Sequence, residues 1–240
     1  MNSRNILTES ISHSIEISIK ALNESLTTGS KVYAINWFNL KRPVLYSLYN
    51  TLVGPMLHKI GGRLFFKGIL KKRLEGNDTD ERKMLLLVYY PSPLHFIRLL
   101  KKKIFQLASI LRITSVKEFN FGFCQRLMGE GPPLTKKTDN LNYVVHHFKM
   151  TQAGISGLEA LQKELATLSI SLFFCGELAA HIVAKKGNKK AQQAPILMDG
   201  IILYESAKEK YFDQLMSSPL FAEFKAQFDS NYMAAFERIG

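Results

Sequence analysis

Apolar and polar positions along this chain divide it into alternating strand-like and helix-like stretches. Val32-Tyr33-Ala34-Ile35-Asn36-Trp37-Phe38 is a strand by its aromatic and β-branched content. Pro43 opens a helix in which Leu45, Leu48, Tyr49, Leu52, Val53 and Leu57 recur at helical spacing, and Gly61-Gly62 ends it where a left-handed cap needs no Cβ. A strand over 63–74 leads through Glu75-Gly76-Asn77-Asp78, a hairpin turn, into a third strand over 84–90 that Pro91 and Pro93 stop. Helical spacing returns from Leu94 to about Ile113. Lys117 to Leu127 then alternates Phe119, Phe121 and Phe123 with a period of two. The order is β-α-β-β-α-β.

The same order is written again. A strand over 142–148, a helix over roughly 156–168, a strand around Ser171-Leu172-Phe173-Phe174-Cys175-Gly176-Glu177-Leu178, a lysine-rich turn at 185–190, a strand over 196–205, a helix over about 208–229 and a strand over 232–239 follow one another. Leu-Phe-Phe-x-Gly-x-Leu at Leu172–Leu178 repeats the pattern at Leu64–Leu70, and Phe236-Glu237-Arg238-Ile239 closes the second copy much as Cys124-Gln125-Arg126-Leu127 closes the first. These repeats predict an α+β fold of two tandem ferredoxin-like units, over 31–128 and 142–240, joined by a Gly- and Pro-containing linker over 129–141. Residues 1–30 form a separate N-terminal arm, in which Ile11, Ile15, Leu22 and Leu26 suggest a peripheral helix covering core or a partner subunit. Each unit buries only one sheet face under its own helices. Packing the two bare faces together closes a pseudo-twofold α/β barrel around a cavity, with the helices outside.

Composition adds a location for charge. The 240 residues carry 32 Lys+Arg against 20 Asp+Glu, a net charge of +12. Residues 1–128 hold 20 of the basic and 8 of the acidic residues, so the whole excess lies in the first copy. A one-sided surplus suggests a positive face for an anionic small molecule, an acidic protein partner or nucleic acid. Nucleic acid is the weaker reading, because no recognisable nucleic-acid motif interleaves aromatics with Lys101-Lys102-Lys103 or Lys71-Lys72-Arg73. No apolar run approaches membrane-spanning length, and the first residues lack the continuous apolar stretch of a secretory signal. Cys124 and Cys175 lie inside strands as small buried hydrophobes, which fits a reducing cytoplasm. No phosphate loop, nucleotide fingerprint, zinc spacing or nucleophile elbow is present, so no cofactor or metal is expected.

Gly61-Gly62-Arg63-Leu64-Phe65-Phe66-Lys67-Gly68, followed by Leu74-Glu75-Gly76, resembles the domain of unknown function 1330 family, small bacterial proteins of the dimeric α/β-barrel superfamily. The likeness covers residues 32–127 well and 142–239 more loosely. It implies that Lys67, at a family arginine position, points into the barrel as a ligand-holding cation, and that Arg112 takes a second family arginine position. The wider superfamily contains cofactor-free monooxygenases, cyclases, isomerases, haem enzymes and ligand sensors. No histidine here matches the helix-borne haem ligand.

Within that frame the candidate chemistry is asymmetric. Cys175 stands where the first copy has Lys67, and Glu177, two residues on, shares its strand face and becomes a candidate general base. His146 and His147 point to opposite faces of their strand, so one of them enters the cavity as an acid or base, and the pair cannot readily share a metal. Asn36 and Trp37 hold the same positions in the first copy, with the same ambiguity, as candidate ligand contacts. Arg112 is as readily a structural ion pair. Asp199 needs a partner in mid-strand or else marks a turn. These residues suggest a protein that binds a small, partly apolar anion between its sheets, Lys67 holding it and Glu177 or a histidine moving a proton. The alternative is a non-catalytic protein whose basic half docks an acidic partner or nucleic acid. Further assembly into a homodimer is compatible with either.

Overall fold

The computed structural model of the protein describes residues 31–77, 81–128, 141–151, 155–183 and 199–239. The N-terminal arm, residues 129–140 of the linker expected over 129–141, the lysine-rich turn and the first residues of the strand expected over 196–205 lie outside them. The strands are β1 (Val32–Leu40), β2 (Arg63–Glu75), β3 (Met84–Tyr90), β4 (Val116–Met128), β5 (Asn142–Met150), β6 (Ile170–Val183), β7 (Gly200–Ser206) and β8 (Phe228–Arg238). The helices are α1 (Pro43–Lys59), α2 (Pro93–Leu100), α3 (Lys103–Ser115), α4 (Leu158–Thr167), α5 (Lys210–Met216) and α6 (Pro219–Ala226). Among the described residues no helix is long and apolar enough to cross a membrane.

All eight strands pair antiparallel and close into one barrel in the order β1-β3-β2-β8-β5-β7-β6-β4. Each copy contributes four strands, and β2 with β8 and β4 with β6 form the two seams between copies. Each strand stands four places around the barrel from its counterpart, so the pseudo-twofold axis runs along the barrel. Closure leaves no open sheet edge. The helices expected over 94–113 and 208–229 are each broken in two. Lys102 and Ser218 are extended, and Pro219 begins the new helix while the Ser218 hydroxyl accepts from the Phe221 amide at 3.3 Å.

Three apolar layers result. Tyr33, Ile35 and Trp37 of β1 face the barrel interior with Leu85, Leu87, Tyr143, Val145, Ile201 and Leu203. Their alternates Val32, Ala34 and Phe38 face α1, α2 and α3, and the second copy repeats this with Val144, Phe148, Ile202 and Tyr204 beneath α4, α5 and α6.

The repeated Leu-Phe-Phe-x-Gly segment breaks this alternation twice at equivalent places. Register shifts between Leu64 and Phe66 where β2 meets β3, and between Leu172 and Phe174 where β6 meets β7. A bulge sets two residues against one, and here both phenylalanines of each pair enter the interior. Each second phenylalanine then folds over the glycine two residues on. A Cβ at Gly68 would lie 2.7 Å from the Phe66 ring, and one at Gly176 would lie 2.8 Å from the Phe174 ring. Gly176→Ala should therefore cost about 1–3 kcal/mol of stability through overpacking. Gly54→Ala is the control: nothing lies within 4 Å of its added Cβ, and removing a helix-interior glycine should stabilise by about 0.5–1 kcal/mol. Denaturant midpoints of the two variants should move in opposite directions.

Candidate functional site

Along its middle the barrel is filled rather than hollow. Tyr33 meets Phe65 and Phe174 with ring centroids 5.1 and 4.9 Å apart, Phe65 meets Phe173 at 5.1 Å, and Phe66 meets Tyr143 at 5.2 Å. Nor do Lys67 and Glu177 reach this interior. Lys67 pairs with Leu86, a residue of the helix-facing layer, while Cys175 packs into the corresponding layer of the second copy, which places Glu177 on that face too. The cause is the bulge, which takes up one residue and reverses the parity of everything after it. The cation–carboxylate pair expected between the sheets is therefore not formed.

What the interior does contain is a polar quartet at the end reached by the C-termini of β1 and β5. Trp37 pairs with Asn120 across β1 and β4, and His147 pairs with Tyr232 across β5 and β8, the pseudo-twofold counterpart of the first pair. Trp37 and His147 stack across the axis, centroids 4.2 Å apart and planes 29° apart. Tyr232 flanks both rings, 5.1 Å from Trp37 and 6.4 Å from His147. The Trp37 indole N–H donates to the Arg82 carbonyl at 3.2 Å, and the Arg82 guanidinium covers the indole at 5.9 Å while donating to the Glu118 carbonyl at 2.8 Å.

His147 is only 1% exposed, and neither ring nitrogen meets a hydrogen-bond partner among the described residues. The Asn120 side-chain amide nitrogen is equally buried and unpartnered. Burial pushes the His147 pKa down to about 3, with a smaller contribution from neighbouring His146. The ring is thus neutral at physiological pH and offers one donor and one acceptor.

His146 points the other way, as strand alternation requires. Its Nε2 meets Asn231 Oδ1 at 2.7 Å and its Nδ1 meets the Tyr204 hydroxyl at 3.3 Å, inside the second helix layer among Phe148, Phe221 and Phe228. Burial lowers its pKa to about 4. With both nitrogens satisfied it is a structural histidine. Asn36 also faces outward and bonds the Ala34 carbonyl at 3.3 Å. Arg112 lies over Phe119 at 4.2 Å and Phe121 at 5.5 Å in the first helix layer, a cation–π seat away from the interior. Asp199 marks a bend before β7, and its carboxylate accepts from the Met150 amide at 2.8 Å. Cys124 faces inward with Sγ 3.4 Å from the Tyr33 carbonyl, Cys175 faces outward, and both thiols are free and raised in pKa by burial.

Of the residues read from sequence, then, Trp37 and His147 come together, whereas Lys67, Glu177, Arg112, Asn36 and His146 lie on the helix-facing side. Asn120, Tyr232 and Arg82 were not anticipated. For Asn120 a signal existed: in β4 the bulky Phe119, Phe121 and Phe123 alternate with Asn120, Gly122 and Cys124, and the smaller set faces inward. Among the described residues no group of three or more His, Cys, Asp or Glu could hold a metal ion.

No protein-family model and no curated protein matches the chain. Solved structures do. A provisionally assigned monooxygenase from Fusobacterium nucleatum matches with a TM-score of 0.51 at 9% identity, over 89% of this chain and 94% of that one. An anthrone oxidase-like protein matches with a TM-score of 0.52 at 10% identity, over 89% and 94%. At such identities the likeness is one of fold: the chain is similar to dimeric α/β-barrel proteins over nearly its whole length.

Two buried neutral histidines make stability acid-sensitive. Both folded pKa values lie below the ordinary 6.5, so the unfolded chain takes up protons first. The stability they contribute is complete above about pH 6.5 and declines toward pH 4, by roughly 1 kcal/mol per pH unit for each histidine. Urea midpoints between pH 7.5 and 5 should fall accordingly, and His147→Phe should remove about half of the slope.

Proposed function

We propose that the protein binds a small, partly apolar molecule bearing a hydroxyl or carbonyl at the His147 end of the barrel, and transforms it by proton transfer. One observation supports this above the others: a wholly buried, neutral histidine, stacked on the only tryptophan, meets no partner at either nitrogen among the described residues. Leaving a buried polar group unpaired costs about 1–3 kcal/mol, and such groups concentrate where a ligand completes them. Held neutral by its dry surroundings, His147 offers the ligand one hydrogen-bond donor and one acceptor. In this reading it takes a proton only as negative charge develops on the bound ligand beside it and stabilises the imidazolium. The Asn120 amide donates to the oxygen on which charge develops, and the Trp37 and Tyr232 rings seat a planar apolar body. Such chemistry suits cofactor-independent monooxygenases, cyclases and isomerases, and the names of the two fold neighbours make oxygenation the first reaction to test.

His147→Phe distinguishes this from a structural role. Phenylalanine keeps the stack on Trp37 and removes only the two nitrogens. Its unfolding midpoint at pH 7.5 should equal or exceed that of the wild type, while small molecules retained by the wild type in native mass spectrometry should be lost. A marked drop in stability with the same retained ligand would sink the assignment.

A second reading keeps its own support. Val44 (82% exposed), Leu48 and Leu52 on α1 and Ile104 and Leu107 on α3 are exposed aliphatic side chains on two helices that pack together. Exposed Lys41 and Arg42 lead into α1, and Lys101 and Lys103 lead into α3. Apolar surface with basic flanks suits an acidic protein partner. Changing Lys101, Lys102 and Lys103 to Glu should leave stability within about 0.5 kcal/mol but abolish salt-sensitive retention on immobilised poly-glutamate. If the wild type is not retained even at low salt, this reading fails.

A further inference from the structure

The opposite end of the barrel carries charge that neither reading uses. Arg238, the last residue of β8, pairs with Gly68 on β2, and Arg126 of β4 pairs with Gly176 on β6. Each copy thus sets an arginine on the interior-facing side of a seam, against the glycine its phenylalanine covers. Arg238 is only 7% exposed. Its guanidinium lies 5.9 Å from the Tyr143 ring and 5.7 Å from the Phe173 ring, and Nη1 donates to the Tyr143 hydroxyl at 3.3 Å. Its Nε meets no hydrogen-bond partner among the described residues. On the other side of Tyr143, Glu205 of β7 keeps a buried carboxylate oxygen, Oε2, that is likewise unpartnered. No carboxylate among the described residues lies within ion-pair distance of Arg238 or Arg126.

We propose that this end of the barrel binds a small carboxylate, with Arg238 as its principal ligand. The Nε–Nη2 edge of a guanidinium takes a carboxylate in two parallel hydrogen bonds, and Nη1 is already committed to Tyr143, which fixes the direction of the fork. A cation buried this deeply needs a counter-charge, and Glu205 does not approach closely enough to be one. Arg126 enters from the opposite wall and adds to the positive potential at the mouth. Tyr143 and Phe173, over which the guanidinium lies, belong to the packed aromatic middle and hold Arg238 in place at its edge. Glu205 opposes the ligand: it is the internal anion of the site, and it keeps affinity below what two arginines alone would supply. The site is independent of the His147 quartet, from which the packed aromatic middle of the barrel separates it.

The test uses the whole chain, with fluorobenzoate followed by fluorine NMR and inorganic phosphate as a second probe. Fluorobenzoate should bind saturably and displace phosphate, if phosphate binds at all. Arg238→Met should weaken fluorobenzoate binding at least about tenfold, as expected for loss of a charge-assisted pair. Should that variant fail to fold, Arg238→Lys, which keeps the charge and loses the fork, should also weaken it severalfold. Glu205→Gln should tighten binding by removing the competing charge, and His147→Phe should leave it unchanged. Absence of saturable binding, or equal binding by the wild type and both Arg238 variants, overturns the proposal. Loss of fluorobenzoate binding in His147→Phe would move the carboxylate to the other end and overturn it equally. Phosphate binding without fluorobenzoate binding would overturn the ligand class.

Discussion

The structure depends on how four phenylalanines fit inside a closed barrel. Phe65, Phe66, Phe173 and Phe174 all point inward, which a regular strand could not allow for neighbouring residues. The two bulges make it possible, and Gly68 and Gly176 give the second ring of each pair somewhere to lie. The rings fill the space between the two copies, so the copies share one interior and are joined at both seams by strand pairing. Other features follow from that filling. Along its middle the interior is packed with aromatic rings, and among the described residues the His147 quartet and the two arginines Arg126 and Arg238 stand at its two ends.

Those ends differ because the copies have diverged. At one, Trp37 and Asn120 in the first copy answer to His147 and Tyr232 in the second, so a single histidine sits against a single tryptophan on the pseudo-twofold axis. At the other, Arg126 answers to Arg238, whereas Tyr89 stands where the second copy has Glu205. A symmetric homodimer could provide neither a lone histidine nor a lone carboxylate on its axis. Fusion of the copies lets each end acquire a donor and an acceptor that differ, which proton transfer and oriented anion binding both require.

The helix-facing layers account for the polar residues that look most chemical in sequence and are least so in space. His146 is satisfied by Asn231 and Tyr204. Arg112 rests on Phe119 and Phe121. Lys225 pairs with Glu75 and lies over Phe221, tying α6 to the end of β2. Each has found its partner within the layer, and a group so satisfied has little left to offer a ligand.

Element order and strand identity were legible in the sequence because they rest on local periodicity, glycine and proline, which each segment carries by itself. Both copies, their four strands apiece and the closed barrel could be read from residues such as Phe119, Phe121 and Phe123 and from the doubled Leu-Phe-Phe-x-Gly. The sequence also showed that His146 and His147 must face opposite ways. It could not show which of them faces inward, because alternation defines two faces without saying which meets the other sheet. Nor could it show that Lys67 and Glu177 turn outward. Strict alternation ties Lys67 to Phe65, and only pairing with β3 reveals the extra residue that breaks the tie. Trp37 against His147, and Arg238 against Tyr143, join residues far apart in the chain. Their meeting is decided by barrel closure and strand register, which belong to the assembled sheet and not to any one segment of it.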